Sequence, residues 1–507
     1  MSNYSTSALS HPSEPSLVGD PERQELIARG GTASQAARIV SKEFLAGGTW
    51  GTVEPNRSDP IAAYSETDPL SCPLSVTGRW RLSCTIQILL LTRMNFHEQI
   101  DLVNGFGGFG PRQTRKEVTR LAGVKCVHDA FGWFETHERE IADRQLEVTA
   151  IPAPPFRERQ RSEWMLSKFI ECGLQQAHMD AVCNVIGLLP GTAQGPYVLI
   201  SAHVDTVFSE TQLEVRRDGE RLVGPGIADN GTGLVALLAI AAAMQAAGIR
   251  TRLPLLFLAN VGEEGEGNLR GMRHFFEDPQ WRTQINCMLA LDGAGTDTIV
   301  TEALGSRRFE VSISGPGGHS WSDFGTANPI VLLARVIERL SRIALPDNPR
   351  TTVNVGIIEG GTSVNAIPES ALMRVDLRST DPARITAIEA QLQAILKEVT
   401  DGVGSSSGVQ SRVRVIGDRP AAELSDGAFI LEALRAVDSQ LGIRSHVHCA
   451  STDANIPLSL GVQALAIGAG GTGARAHTLQ EWFIARGRAV ALKRILLTVL
   501  TLAGLAE

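Results

Sequence analysis

No two of the seven cysteines (positions 72, 84, 126, 172, 183, 287 and 449) form a CxxC pair, and their number is odd. That excludes a disulfide framework, and a reducing cytoplasm is the simplest home. Basic charge is not in excess either. Lys and Arg number 47 against 55 Asp and Glu, a formal net charge of −8, and no basic stripe offers itself to nucleic acid. The densest early apolar run, "IQILLL" at 86–91, falls far short of the ~20 residues a membrane helix needs. Residues 1–20 are polar, with no apolar signal core. Internal repeats are absent. These absences predict a cytoplasmic protein with neither nucleic acid nor membrane as partner.

What is present is an ordinary globular balance, 43% hydrophobic and 20% charged over 507 residues. Such a chain fills a sizeable core, and its length suggests about three units. Residues 1–116, rich in Ser, Pro, Gly and Thr, read as a flexible N-terminal extension. From Phe131 the pattern sharpens. Helical spacing over 131–150 is stopped by the prolines of "IPAPPF", and a second helix ends at Gly173. Strands (197–203, 253–259, 287–291) then alternate with helices (230–247, with Gly248 just past its end, and 270–276). This predicts an α/β fold, a mostly parallel sheet flanked by helices. After Ser306 the style changes to alternating strands separated by helices near 329–343 and 381–399, an inserted α+β lid. The first style returns with a helix from Asp426, a strand over 463–468 and a long helix over 479–502. The expected segments are 1–116, a catalytic domain over 117–305 and 418–507, and the lid over 306–417.

In such sheets, sites gather at the carboxyl ends of the strands. The strand of "YVLISAHVDTVF" ends in His203, with Asp205 two places on. "GPGIADNGTG" puts Asp229 in a glycine-rich turn at a helix start. "VGEEGEG" supplies Glu263 and Glu264, "LDGAG" supplies Asp292, and "GARAH" supplies His477. Imidazoles and carboxylates in this number suit two divalent ions of the zinc type, which lower the pKa of bound water toward ~7. Asp205 is placed to hold the His203 imidazole in its ligand tautomer. Of the adjacent glutamates, one ligates while the other moves a proton, worth roughly 10²–10⁴-fold.

Seven motifs in order, "SAHVDTV", "GPGIADNGTG", "GEEGEG", "LDGAG", "GPGGHS", "GGTSVNAIP" and "STDANIP…GARAH", closely resemble the co-catalytic zinc peptidases that include peptidase T, carboxypeptidase G and acetylornithine deacetylase. The resemblance covers about residues 125–505. It implies one metal on His203, Asp229 and Asp292, and another on Asp229, Glu264 and His477. Asp229 bridges, and Glu263 is the general base. The ions are expected to be Zn²⁺, with Co²⁺ or Mn²⁺ as alternatives. It also implies a cis bond between Asp229 and Asn230, and a homodimer formed through the lid. His319 of "GPGGHS" then stabilises the transition state in the partner's site. Asn365 of "TSVNAIP" and Arg378 of "DLRS" are expected at the bound peptide, Arg378 on its carboxylate. In such enzymes Asp at the position of Asp292 accompanies action on free peptide N-termini, and Glu accompanies carboxypeptidases and deacylases. The leading expectation is therefore an aminopeptidase for small peptides. The runner-up is an N-acyl amino acid amidohydrolase, deacetylase or carboxypeptidase with the same metal site. A silent binding homologue would have lost a ligand or Glu263, and none is missing.

"GAGGTG" at 468–473 lacks the Lys-Ser/Thr of a phosphate loop, so Gly470 and Gly471 are read as backbone lining a substrate pocket. His178, His274, His446 and His448 are read as structural, because no further ligands adjoin them. Cys449 is placed near the pocket but not as a nucleophile.

Overall fold

A computed structural model describes residues 110–209 and 213–506. The expected extension lies outside the described residues as far as residue 109. Among the described residues four helices come first, Pro111–Ala122, Lys125–Thr136, Glu138–Ala150 and Arg159–Glu171. Pro111 opens the first, where its missing N–H costs nothing. That helix buries Val118 and Leu121 completely and packs on helix Phe429–Leu441. Thr114 donates through Oγ1 to Glu432 at 2.5 Å. The folded unit therefore begins by Pro111, earlier than residue 117, because a polar-looking sequence still carries an apolar stripe at helical spacing.

The main sheet has nine strands. From one edge they run Gln175–Met179, Val185–Leu189, Leu255–Asn260, Tyr197–His203, Ile285–Leu291, Gln463–Ile467, Thr298–Ala303 and Ala422–Glu423, with His446–Ala450 paired to Thr298–Ala303. The four strands from Leu255–Asn260 to Gln463–Ile467 are mutually parallel. Antiparallel pairings flank them, so the sheet is mixed, with a parallel centre. Val198 and Ile200 face one core with Leu234, Leu237 and Leu496, and Leu199 faces the other with Met272 and Phe275. Burial on both faces is why these strands read as unbroken apolar runs. Helix Gly231–Ala246 is buried almost all round, and at its N-cap the Asn230 Oδ1 accepts from Gly233 N at 3.0 Å. Parallel strands aligned in register put their polar C-terminal residues on one edge: His203 stands opposite Asn260, and Leu291 opposite Ile467.

The lid is a separate four-stranded antiparallel sheet, ordered Thr351–Gly360, Ser370–Ser379, Gly305–Ser314 and Gln410–Arg419. Helices Pro329–Ser341 and Pro382–Asp401 cover one face through Leu333, Val336 and Leu392 against Val311, Met373 and Leu377. The other face carries Arg374, Asp376 and Arg378. The chain enters and leaves the lid at Leu304 and Pro420, whose carbonyls both accept from Asn455 Nδ2 at 2.9 Å. One sequence expectation fails here. Instead of a helix over 479–502, there is a short strand, Trp482–Ile484, and then helix Arg488–Ala503. Gly487 at φ 88° resets the backbone between them, and Phe483 is drawn into a satellite core with Leu222 and Ile227.

A chain starting at Gly123 is expected to be less stable than one starting at Gly110. Losing the buried Val118 and Leu121 costs about 3–6 kcal/mol at ~1.5–3 kcal/mol each, read from urea midpoints of the two forms. Equal midpoints would show that the first helix adds nothing to the fold.

Candidate active site

His203 ends the central strand and is buried. Its Nδ1 lies 3.0 Å from the main-chain oxygen of Asp205, a contact in which the ring N–H donates and Nε2 is left as the outward atom. That Nε2 lies 3.1 Å from Asp229 Oδ1 and 3.7 Å from Asp292 Oδ1. On the far side, His477 Nε2 lies 3.3 Å from Asp229 Oδ2 and 3.0 Å from Glu264 Oε1. The two oxygens of one carboxylate thus face two different imidazoles. His203, Asp229 and Glu264 offer ligand atoms within 4.8 Å of one another. The Asp229–Asn230 bond is cis. Arg475 and His477 adopt φ 62° and 64°, left-handed values unusual for non-glycine residues and typical of strained functional turns.

Charge explains the closeness. Burial opposes protonation of His203, but the Asp229 and Asp292 carboxylates outweigh it and hold its pKa well above the usual imidazole value. Hydrogen bonds that the ring donates to the Asp229 and Glu264 carboxylates lift His477 to about 10. Burial pushes Asp229 up, yet the two imidazoles hold it well below the usual carboxylate range. A neutral ring nitrogen and a carboxylate oxygen are both acceptors, so 3.1 Å between them calls for a proton or a cation. The donor set of nitrogen and carboxylate oxygen therefore fits divalent metal.

Asp205 acts differently from the sequence reading. Its carboxylate is 3.8 Å from His203 Nδ1, too far for a hydrogen bond. Oδ1 and Oδ2 instead accept from the backbone N–H groups of Glu263 and Glu264, at 2.9 and 2.8 Å. The main-chain carbonyl of Asp205 orients the imidazole, and its carboxylate holds the glutamate pair. Gly470 is also reassigned. Its N–H and C=O are both engaged by Gly295, and a Cβ would meet Ala491 at 2.6 Å. At Gly471 a Cβ would meet the Phe483 ring at 2.2 Å. Both glycines answer to close packing, and the Gly470 N–H is already committed to Gly295.

The lid residues are not brought together in one chain. His319 and Asn365 adjoin at the lid tip, where Gly318–His319 pairs with Ala366–Ile367 and Ser320 N donates to Asn365 O at 3.0 Å. His319 is exposed, and its Nδ1 accepts from Trp321 N at 3.2 Å, which leaves Nε2 free. Arg378 is at the hinge end of strand Ser370–Ser379, roughly 27 Å along the strand from Ser370 at ~3.4 Å per residue. Its Nε donates to Asp376 Oδ2 at 2.6 Å. It lines a cavity of about 560 Å³ with Glu302, Arg350 and Cys449. Burial pushes the Cys449 thiol up to about 11, which removes it as a nucleophile at neutral pH. His446 and His448 are exposed on their strand.

Residues 184–310 match the model for Peptidase family M28, and residues 301–403 match that for the Peptidase dimerisation domain. A probable carboxypeptidase of Ajellomyces capsulatus is 27% identical over 237 residues, 43% of this chain and 53% of the relative. The chain thus spans about half the length of the fungal carboxypeptidases it matches. Aminopeptidase PepT of Bacillus cereus superposes with a TM-score of 0.59 at 20% identity, covering 72% of this chain and 98% of that one. The Bacillus subtilis YXEP protein, a dinuclear metal binding peptidase from the M20 family, gives 0.53 at 16%, covering 73% and 99%. The two family matches lie in order along the chain, a peptidase segment followed by a dimerisation segment, and both solved structures share its fold.

Three buried residues escaped the sequence reading. Glu481 accepts from the N–H groups of Gly226, Ala228 and Asp229, each at 2.8 Å, and so holds the turn that presents Asp229. Burial pushes Glu481 up to about 7, with the three donors pulling the other way. Asp453 accepts from Asn260 Nδ2 at 2.8 Å, and burial lifts it to about 7. Arg419 donates through Nη1 to Glu263 Oε1 at 3.0 Å. Asp453 lay in a quoted motif and Glu481 four places after His477, whereas nothing near Arg419 distinguished it from a surface arginine.

Glu481→Gln replaces one of the two accepting oxygens with an amide donor, set against the N–H of Gly226 or the pair from Ala228 and Asp229. It is expected to cost about 1–3 kcal/mol of stability, measured by urea unfolding of the metal-free protein. An unchanged midpoint would mean the turn holds itself.

Proposed function

We propose that the protein is a two-metal aminopeptidase for small peptides, and the observation that carries this is Asp229, whose two oxygens face His203 and His477 separately. His203, Asp229 and Asp292 hold one divalent ion, Zn²⁺ being the leading candidate. Asp229, Glu264 and His477 hold the other. When bound, such ions supply Lewis acidity and an activated water. The chain's own residues do the rest. Glu263 takes a proton from the attacking water and returns it to the leaving nitrogen. Burial, opposed by Arg419, pushes its carboxyl well above the usual range, a direction that suits a proton carrier. Asp205 and Arg419 hold it in place. The fold likeness to aminopeptidase PepT and the aspartate at 292 support action on free N-termini. The likeness to probable carboxypeptidases supports the second reading, cleavage from the other end or deacylation.

Glu263→Gln is expected to retain both metals by elemental analysis and to lose roughly 10²–10⁴ in kcat. Its parent is assayed on di- and tripeptides beside their N-acetylated and C-amidated forms. Preference for acetylated substrates, or near-normal turnover by the variant, would overturn the aminopeptidase and the proton role respectively.

The separation of His319 and Asn365 from Arg378 supports a homodimer in which the lid tip serves the partner's site, where a preorganised donor is worth about 10²–10³ in kcat. Mixing inactive His319→Ala with inactive Glu263→Gln, under conditions of proven subunit exchange, is expected to restore activity. Exchange without recovery would sink the role in trans.

A further inference from the structure

Arg419 is the last residue of lid strand Gln410–Arg419, in register with Ser306, and its side chain is buried. Its Nη1 donates to Glu263 Oε1 and to Ser451 Oγ, both at 3.0 Å, and its Nη2 donates to the Glu263 carbonyl. One planar fork therefore grips both the side chain and the main chain of the same residue. Glu263 N donates in turn to Asp205 Oδ1 at 2.9 Å. Residue 263 is held at its amide by the catalytic sheet, and at its carbonyl and Oε1 by the lid strand.

The grip is part of a wider attachment. Arg308 donates to Gly265 O at 2.7 Å, Arg374 lies 3.3 Å from Glu266, and Asp418 N donates to Asn268 Oδ1 at 2.9 Å. The turn after strand Leu255–Asn260 is thus tied to lid residues at four points, and of these four Arg419 is the one that reaches the Glu263 carboxylate. A guanidinium spans two acceptors with fixed geometry, whereas an ammonium cannot.

We propose that Arg419 is a positioning residue for Glu263, fixing one carboxylate oxygen so that the other is presented to the reacting water, and thereby tying the aim of the base to the seat of the lid. The proposal rests on reading Glu263 as the proton carrier. A plain buried ion pair would instead stabilise the fold and affect turnover only through it.

A double-mutant cycle separates the two. Metal-loaded Arg419→Met is expected to keep two metals and an unchanged KM while losing about 100-fold in kcat, the scale of a displaced reacting group. In the Glu263→Gln background the same change is expected to cost nothing further, because the group it aims is already inert. If Arg419→Met does not fold, Arg419→Lys enters the same cycle, with a smaller loss in the parent and again none in Glu263→Gln. Equal fold-losses in both backgrounds, or a loss that follows metal content, overturn the proposal. Near-normal activity of Glu263→Gln by itself would defeat the reading of Glu263, a different failure from additivity in the cycle.

Discussion

Crowded negative charge is the constraint on which the rest of this structure depends. Asp205, Asp229, Glu263, Glu264, Asp292 and Asp453 collect at one edge of the sheet, and most of them are buried. Carboxylates so placed repel one another and lose hydration, so each is tolerated only with compensation. Asp229 has two imidazoles, Asp205 two backbone amides, Glu263 a guanidinium and Asp453 an amide side chain. Divalent cations complete such a balance.

The residues that hold this edge in shape come from far along the chain. Arg161, wholly buried, donates to the carbonyls of Thr149, Ile151 and Val204 and so knits the residue just after His203 to the early helices. Glu481 lies more than two hundred residues after Asp229, whose turn it shapes. Arg419 arrives from the lid. Each is an ordinary charged residue whose partner is set by tertiary approach alone.

The lid has the same logic at larger scale. Its covered face is apolar, and its open face carries Arg308 and Arg374, which reach the turn bearing the glutamates. Asn455 bonds both hinge carbonyls, so lid and sheet meet at a point defined by two crossings of the chain. The lid tip bearing His319 and Asn365 lies far along the strand from Arg378, which stays at the hinge end.

His203, Asp229, Glu263, Glu264, Asp292 and His477 were legible because each follows a strand or opens a helix that local patterning reveals, and parallel strands deliver their ends to one edge. The strand Tyr197–His203, the helix after Asn230 and the lid's change of style were visible for the same reason: periodicity is a local signal. The start of the first helix, the strand Trp482–Ile484 and the antiparallel flanks were not, because they depend on which surface each segment meets. What only the tertiary structure decided is partnership. Asp205 could be seen beside His203, but the choice between imidazole and glutamate amides is set by where the turn bearing Glu263 and Glu264 approaches it. Gly470 looked like open backbone until Gly295 closed on it. Side-chain type and spacing determine which chemistry is available, and long-range approach determines which atoms perform it.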